Sequence, residues 1–152
     1  MTVKNAREIP GHTGSLVALY YPEAKTARLE AHLRRRRSRL PFTWLHELEL
    51  TNSLQLKVFR GEGTEAAVAA TLAAVRADVE AGAFFRAQIA WAPVFEGALR
   101  LSAAYSHQLG TRTLDLLHVA VACLLDAKEF ITSDQRQSDL AKREGLKVVL
   151  IL

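Results

Sequence analysis

An α/β domain with a parallel sheet covered on both faces is the fold class this sequence predicts, on three observations. The last third of the chain alternates helix, strand, helix, strand, a pattern that favours parallel strands between helical layers. Pro22, Gly61, Gly110 and Gly145 fall at the ends of expected segments, where they punctuate rather than interrupt. The 152 residues, 49% apolar and 24% charged, suffice for one self-supporting core. With no linker, internal repeat or low-complexity tract, residues 1–152 are expected to form a single domain.

Residues 3–10 mix Val3 and Ile9 with Lys4, Asn5, Arg7, Glu8 and Pro10 and specify no clear element. Ser15–Tyr21 is short and apolar, ended by Pro22. Glu23 to about Arg37 is expected to be a helix that closes on the basic run Arg34, Arg35, Arg36, Arg37 and Arg39. Leu40–Thr43 suggests a short strand. Trp44–Arg60 is expected to be helical, with Leu45, Leu48, Asn52, Leu56 and Phe59 at spacings of three and four. Gly61 and Gly63 stop it, and Thr64 caps an alanine-rich helix to Gly82. Phe84–Ala90 alternates weakly, as a strand would. Pro93 opens a helix to about Leu109, stopped by Gly110. Leu114–Ala127 is a strongly apolar helix and Glu129–Thr132 a strand. Gln135–Glu144 is a helix closed by Gly145, and Lys147–Leu152 a β-branched strand.

Several function classes are excluded. No apolar stretch reaches the roughly eighteen residues that span a bilayer, and the first twenty residues lack the apolar centre of a signal peptide. A cytoplasmic protein with no membrane partner is expected. Cys123 is the only cysteine, which rules out an internal disulfide and a cysteine zinc cage. Its apolar surroundings, residues 119–125, predict a buried, inert thiol. The net charge of +4 is compatible with a polyanionic partner without identifying one. The sequence holds no phosphate loop, dinucleotide fingerprint, serine nucleophile elbow or H-E-x-x-H pair.

What remains is a set of acids where helices begin and strands end. Asp134 falls just past the carboxyl end of the strand Glu129–Thr132, the edge of a parallel sheet at which ligands bind. It equally suits the N-cap of the next helix, with Gln137 completing a capping-box-like pair. One carboxylate can do both. Asp115 lies in the first turn of the apolar helix, where the helix dipole favours a negative charge. Leu114, Leu116, Leu117 and Val119 surround it, so it needs a partner, a metal or a basic side chain such as Arg112. Glu47 and Glu49 flank the stripe of the middle helix, and periodicity does not choose between them. The arginine run is either a solvated helix end or a contact for RNA phosphates, the latter marked by steep salt dependence. His118, three residues after Asp115, is a packed or supporting group.

The segment Arg112-Thr-Leu-Asp-Leu-Leu-His-Val-Ala120, with Phe130-Ile-Thr-Ser-Asp-Gln-Arg-Gln137 and Leu140–Leu146, closely resembles the C-terminal half of PIN-domain proteins. The resemblance is nearest to the VapC-type ribonuclease toxins of toxin–antitoxin pairs. Leu45–Leu54 resembles that family's middle acidic helix, and Ser15–Tyr20 the segment after its first strand. The resemblance implies a three-layer α/β/α domain around a central parallel sheet, metal-dependent RNA hydrolysis, a homodimer, and an inhibitory antitoxin protein. It places Glu49, Asp115 and Asp134 among the metal-binding acids, with Thr132 and Ser133 where a hydroxyl assists. Mg²⁺ or Mn²⁺ suits this chemistry, because a hard divalent ion bound by carboxylates both activates water and neutralises a phosphate oxygen.

One departure stands out. The family begins with an apolar strand that ends in aspartate and then a hydroxyl residue, whereas here His12 and Thr13 fill those positions. An imidazole nitrogen suits Mn²⁺ better than Mg²⁺. Three explanations stay open: a degenerate member, an altered metal preference, or an N-terminus that differs from the natural one. The expected function is therefore a metal-dependent endoribonuclease of this type. Its alternative is a non-catalytic PIN-like module that binds RNA or a protein partner. The apolar helices between residues 23 and 82 are the expected partner surface.

Overall fold

Among the described residues, thirteen helical and strand segments are packed into two compact units in the computed structural model, one spanning Thr13–Ala87 and the other beginning at Gln88. The structure describes residues 13–21, 24–35 and 39–151, with only the backbone of residues 13–15. The protein is mixed α/β, and among the described residues its strands form two parallel pairs, one in each unit. No described helix is long and apolar enough to cross a membrane.

The first unit contains α1 (Thr13–Tyr20), α2 (Thr26–Arg34), β1 (Leu40–Phe42), α3 (Trp44–Phe59), α4 (Glu65–Glu80) and β2 (Phe84–Arg86). β1 and β2 pair in parallel, Leu40 opposite Phe84 and Phe42 opposite Arg86. Leu16 and Val17 of α1, Phe42, Leu50 and Leu54 of α3, Val68 and Val75 of α4, and Phe84 form one buried cluster. The Tyr20 hydroxyl donates to Asp78 on α4. Burial and that carboxylate push the phenol well above its ordinary value, so it remains a donor at any working pH.

Thr43 starts α3 with a reciprocal cap. Its hydroxyl accepts from the His46 amide at 3.3 Å, and the His46 ring nitrogen Nδ1 accepts from the Thr43 amide at 3.1 Å. His46 thus fills the role that glutamate or glutamine takes in the usual capping box. The buried face of α3 carries Leu45, His46, Leu50 and Leu54. Of the residues at helical spacing in the sequence, Leu48 is 66% and Phe59 86% exposed, and with Trp44 at 65% they form an outward apolar face. α3 has two apolar faces, and helical spacing marks both without saying which one α1 and α4 will cover.

Thr64 caps α4 as expected, its hydroxyl accepting from the Ala67 amide at 3.2 Å. The cap is exposed. Thr64→Ala is expected to cost about 1 kcal/mol and Thr64→Ser almost nothing, read from urea unfolding midpoints.

The second unit runs α5 (Trp91–Leu101), a π-helical turn at Ser102–Ser106, α6 (His107–Leu109), α7 (Thr113–Leu124), β3 (Glu129–Thr132), α8 (Gln135–Arg143) and β4 (Lys147–Leu150). β3 and β4 pair in parallel, Glu129 opposite Lys147 and Thr132 opposite Leu150, and α8 crosses between them against both strands. α5 packs along α7, with Gly97 facing Ala120. Phe130 and Ile131 of β3 and Leu140 and Ala141 of α8 are buried.

The helix expected from Pro93 to Leu109 begins two residues earlier, at Trp91, and widens at the π turn. Proline is accepted at the third helical position because that amide has no intrahelical acceptor. Gly110 ends the run at φ 62°, in the left-handed region that costs glycine nothing. The helix expected over 23–37 is confined to Thr26–Arg34 among the described residues, and the strand over 84–90 to Phe84–Arg86. The helix expected over 114–127 ends at Leu124, and Asp126 turns the chain with φ 52°.

Candidate functional site

The best-built polar cluster in the protein lies in the second unit, where the start of α7 meets the end of β3 and the start of α8. Asp115, in the first turn of α7, is 5% exposed. Its Oδ2 accepts from the Arg112 backbone amide at 2.8 Å, and its Oδ1 accepts from Gln137 Nε2 at 2.7 Å. The need for a partner is thus met, but by the amide of Arg112 rather than its guanidinium. The cation beside Asp115 is Arg136, whose Nε lies 3.9 Å from Oδ2.

Asp134 follows β3 and caps α8, as expected. Its Oδ1 accepts from the Arg136 amide at 2.8 Å and the Gln137 amide at 3.4 Å. Its Oδ2 accepts from Arg136 Nη2 at 3.1 Å. Partial burial pushes the Asp134 carboxyl up, yet the guanidinium bond, the two amide bonds and the Arg136 charge together outweigh it and hold the group below its ordinary value. A carboxyl depressed on folding contributes stability that is complete at neutral pH. That contribution is lost as pH falls below the ordinary 3.8 toward the depressed value. Glu144, held down by its bond from Arg100, adds a contribution of the same sign. Wild type should therefore lose stability below about pH 4 more steeply than Asp134→Asn does. The excess should stay under about 1 kcal/mol because solvent screens the pair; melting from pH 7 to 3 measures it.

Gln137 corrects the capping-box expectation. Its side chain does not return to the Asp134 amide; that amide donates to Thr132 Oγ1 at 3.0 Å. The Thr132 hydroxyl donates in turn to Gln137 Oε1 at 2.9 Å, leaving Nε2 for Asp115. Gln137 is 3% exposed and both halves of its amide are used. This chain of hydrogen bonds has one polarity, from the Asp134 amide through Thr132 and Gln137 to Asp115, and it fixes the two acids relative to each other. Gln137 was absent from the candidate residues although α8 carries a signal for it. It lies three and four residues before Leu140 and Ala141, on the buried face, where a polar side chain requires partners.

The other candidates fall elsewhere. Glu49 is half-buried on α3, in the first unit, and is engaged. Its neighbour Glu47 pairs with Arg86 at 2.6 Å, and the Arg86 guanidinium lies over the rings of Phe42 and Trp44 at 5.1 and 4.6 Å. Glu47 is thereby assigned to an ion pair. Ser133 is half-buried after β3 and also engaged. His118 is buried on α7. Cys123 is half-buried rather than buried, and desolvation followed by the Glu144 charge pushes its thiol up, away from the reactive thiolate. Arg34, Arg35 and Arg39 are exposed, Arg34 pairing with Glu30 at 3.1 Å. His12, Arg36 and Arg37 lie outside the described residues, as does the side chain of Thr13.

Among the described residues, no group of three or more His, Cys, Asp or Glu is arranged to hold a metal. Asp115 and Asp134 offer two carboxylates whose Oδ2 atoms face one guanidinium, a donor set that fits a hard cation. Mg²⁺ keeps most of its waters and is often held by one or two carboxylates together with substrate phosphates. The chain matches no model of a known protein family, and no curated protein matches it.

Proposed function

We propose that this protein is a metal-dependent endoribonuclease of the PIN-like, VapC-toxin type, a three-layer α/β/α fold with Asp115 and Asp134 at its catalytic centre. The observation that supports it most is the pair of acids delivered by different elements onto one shared positive charge. By the family resemblance, Glu49 and His12, the latter in the position of the expected aspartate, are further candidate ligands. When bound, Mg²⁺ or Mn²⁺ supplies an activated water and neutralises a phosphate oxygen. The residues of this chain orient the acids: Gln137 and the Arg112 amide hold Asp115, while the α8 amides hold Asp134. Thr132 carries its hydroxyl between them, and Ser133 and Thr13 are its proposed companions.

Exposed Arg34, Arg35 and Arg39, with Arg36 and Arg37, are the proposed contacts for RNA phosphates. The outward apolar face of α3, Trp44, Leu48 and Phe59, is the proposed surface for an antitoxin or a second copy of the chain. A cytoplasmic location accords with this reading. Purified protein incubated with structured RNAs and Mn²⁺, Mg²⁺ or EDTA tests the enzyme: cleavage must need the metal and vanish in Asp115→Asn.

A second reading is a non-catalytic PIN-like module that binds RNA or protein. Supporting it, both acids have complete structural roles, Asp115 bonded within its unit and Asp134 capping a helix. Cleavage by His12→Asp alone would favour this reading of the natural chain.

A further inference from the structure

Arg136 occupies an unusual position. It is the second residue of α8, and its amide is fixed to Asp134 Oδ1 by the helix cap. Its side chain turns back across both acids, with Nη2 on Asp134 Oδ2 at 3.1 Å and Nε 3.9 Å from Asp115 Oδ2. Each Oδ1 serves the fold, one through Gln137 and one through the α8 amides, and Asp115 Oδ2 is bonded to the Arg112 amide as well; both Oδ2 atoms also face the guanidinium.

The hold of Arg136 on the pair is incomplete. Its Nε is shut from water and has no hydrogen-bond acceptor, a loss that the Asp115 contact does not repair at this distance. The side chain as a whole is about one third exposed, which leaves it a path to solvent. Because the α8 cap runs through the backbone amide, the guanidinium can leave without disturbing the helix.

We propose that Arg136 is a built-in counter-cation of the Asp115–Asp134 pair, and that a divalent ion loads by exchange with its guanidinium. The inference rests on the metal-binding reading above and adds a competitor to it. An ion of charge two meets the same oxygens as a guanidinium of charge one, so the two occupants exclude each other. Arg136 therefore weakens metal affinity and shields the acids from each other when the metal is scarce.

Mn²⁺ titration of the full chain, followed by the loss of the free-ion paramagnetic resonance signal, tests this without any activity assay. Arg136→Gln, which removes the charge and keeps the length, is expected to bind Mn²⁺ about fivefold tighter, the scale of one partly exposed ion pair. Arg136→Lys is expected to stay near wild type, and Arg136→Met repeats the charge removal should the glutamine variant not melt cooperatively. Affinity unchanged or weakened in both uncharged variants, with binding still lost in Asp134→Asn, overturns the exchange and leaves the metal site standing. No binding by wild type or by either uncharged variant at millimolar Mn²⁺ overturns the metal site and the exchange together.

Discussion

Gln137→Leu is expected to destabilise the protein by about 3 kcal/mol, on the order of 10 °C in melting temperature. Leucine fills the space but leaves Asp115 Oδ1 without its donor and the Thr132 hydroxyl without its acceptor. Both groups are buried. A lost hydrogen bond to a buried charge costs more than one between neutral groups, and the stranded hydroxyl adds to it. Gln137→Glu separates this loss from mere packing. The introduced carboxylate faces Asp115, and two buried like charges at hydrogen-bond distance cannot both ionise. The pair must keep a proton, so its folded pKa is raised, and that stability is present at low pH and lost as pH rises. Gln137→Glu should therefore gain stability relative to wild type on going from pH 7 to 5. A leucine variant that melts with wild type, or a glutamate variant indifferent to pH, would show that the Thr132–Gln137–Asp115 chain does not hold the acids.

The legible parts of this site have local causes, and the illegible parts have tertiary ones. Asp134 could be placed because its two neighbours in sequence decide its role: a β-branched strand ends before it and a helix begins after it. The strand Glu129–Thr132 was legible for the same reason. Asp115 could be recognised as needing a partner, since the leucines around it are adjacent in the chain. The partner itself could not, because Arg136 and Gln137 arrive from α8, more than twenty residues away. Gln137 also sits at the capping-box spacing, so the local rule and the tertiary contact made rival claims on one amide. The tertiary contact prevailed because Thr132 supplies the donor's acceptor more cheaply from the adjoining turn.

The first unit shows the same boundary. The extents of α3 and α4 were legible from glycine stops and, for α4, from its threonine cap; the Thr43 cap of α3 was not read. Which face of α3 turns inward was not, since Leu45, Leu50 and Leu54 compete with Trp44, Leu48 and Phe59 and only the packing of α1 and α4 decides. Glu47 was likewise settled by Arg86, a residue thirty-nine positions away.

Asp115→Asn is expected to abolish metal-dependent RNA cleavage, by at least about 100-fold, while lowering stability only modestly. The two effects separate because of Gln137. The introduced amide keeps one oxygen, which can accept from the Arg112 amide in place of Oδ2. Its NH₂ then faces the Gln137 NH₂, a donor against a donor, which a half-turn of the Gln137 amide resolves. Gln137 would then accept from the introduced amide and donate to Thr132. The residual cost is the displaced Thr132 proton and the weaker neutral bond, about 1–2 kcal/mol. No rearrangement restores the negative charge that the proposed metal requires, and a charged ligand worth several kcal/mol at the transition state corresponds to a loss of about 100-fold or more. Mn²⁺ affinity, RNA cleavage and melting measured on the same preparations check the separation. Cleavage that survives in Asp115→Asn would remove Asp115 from the catalytic centre. Cleavage lost together with cooperative melting would assign the residue to the fold alone.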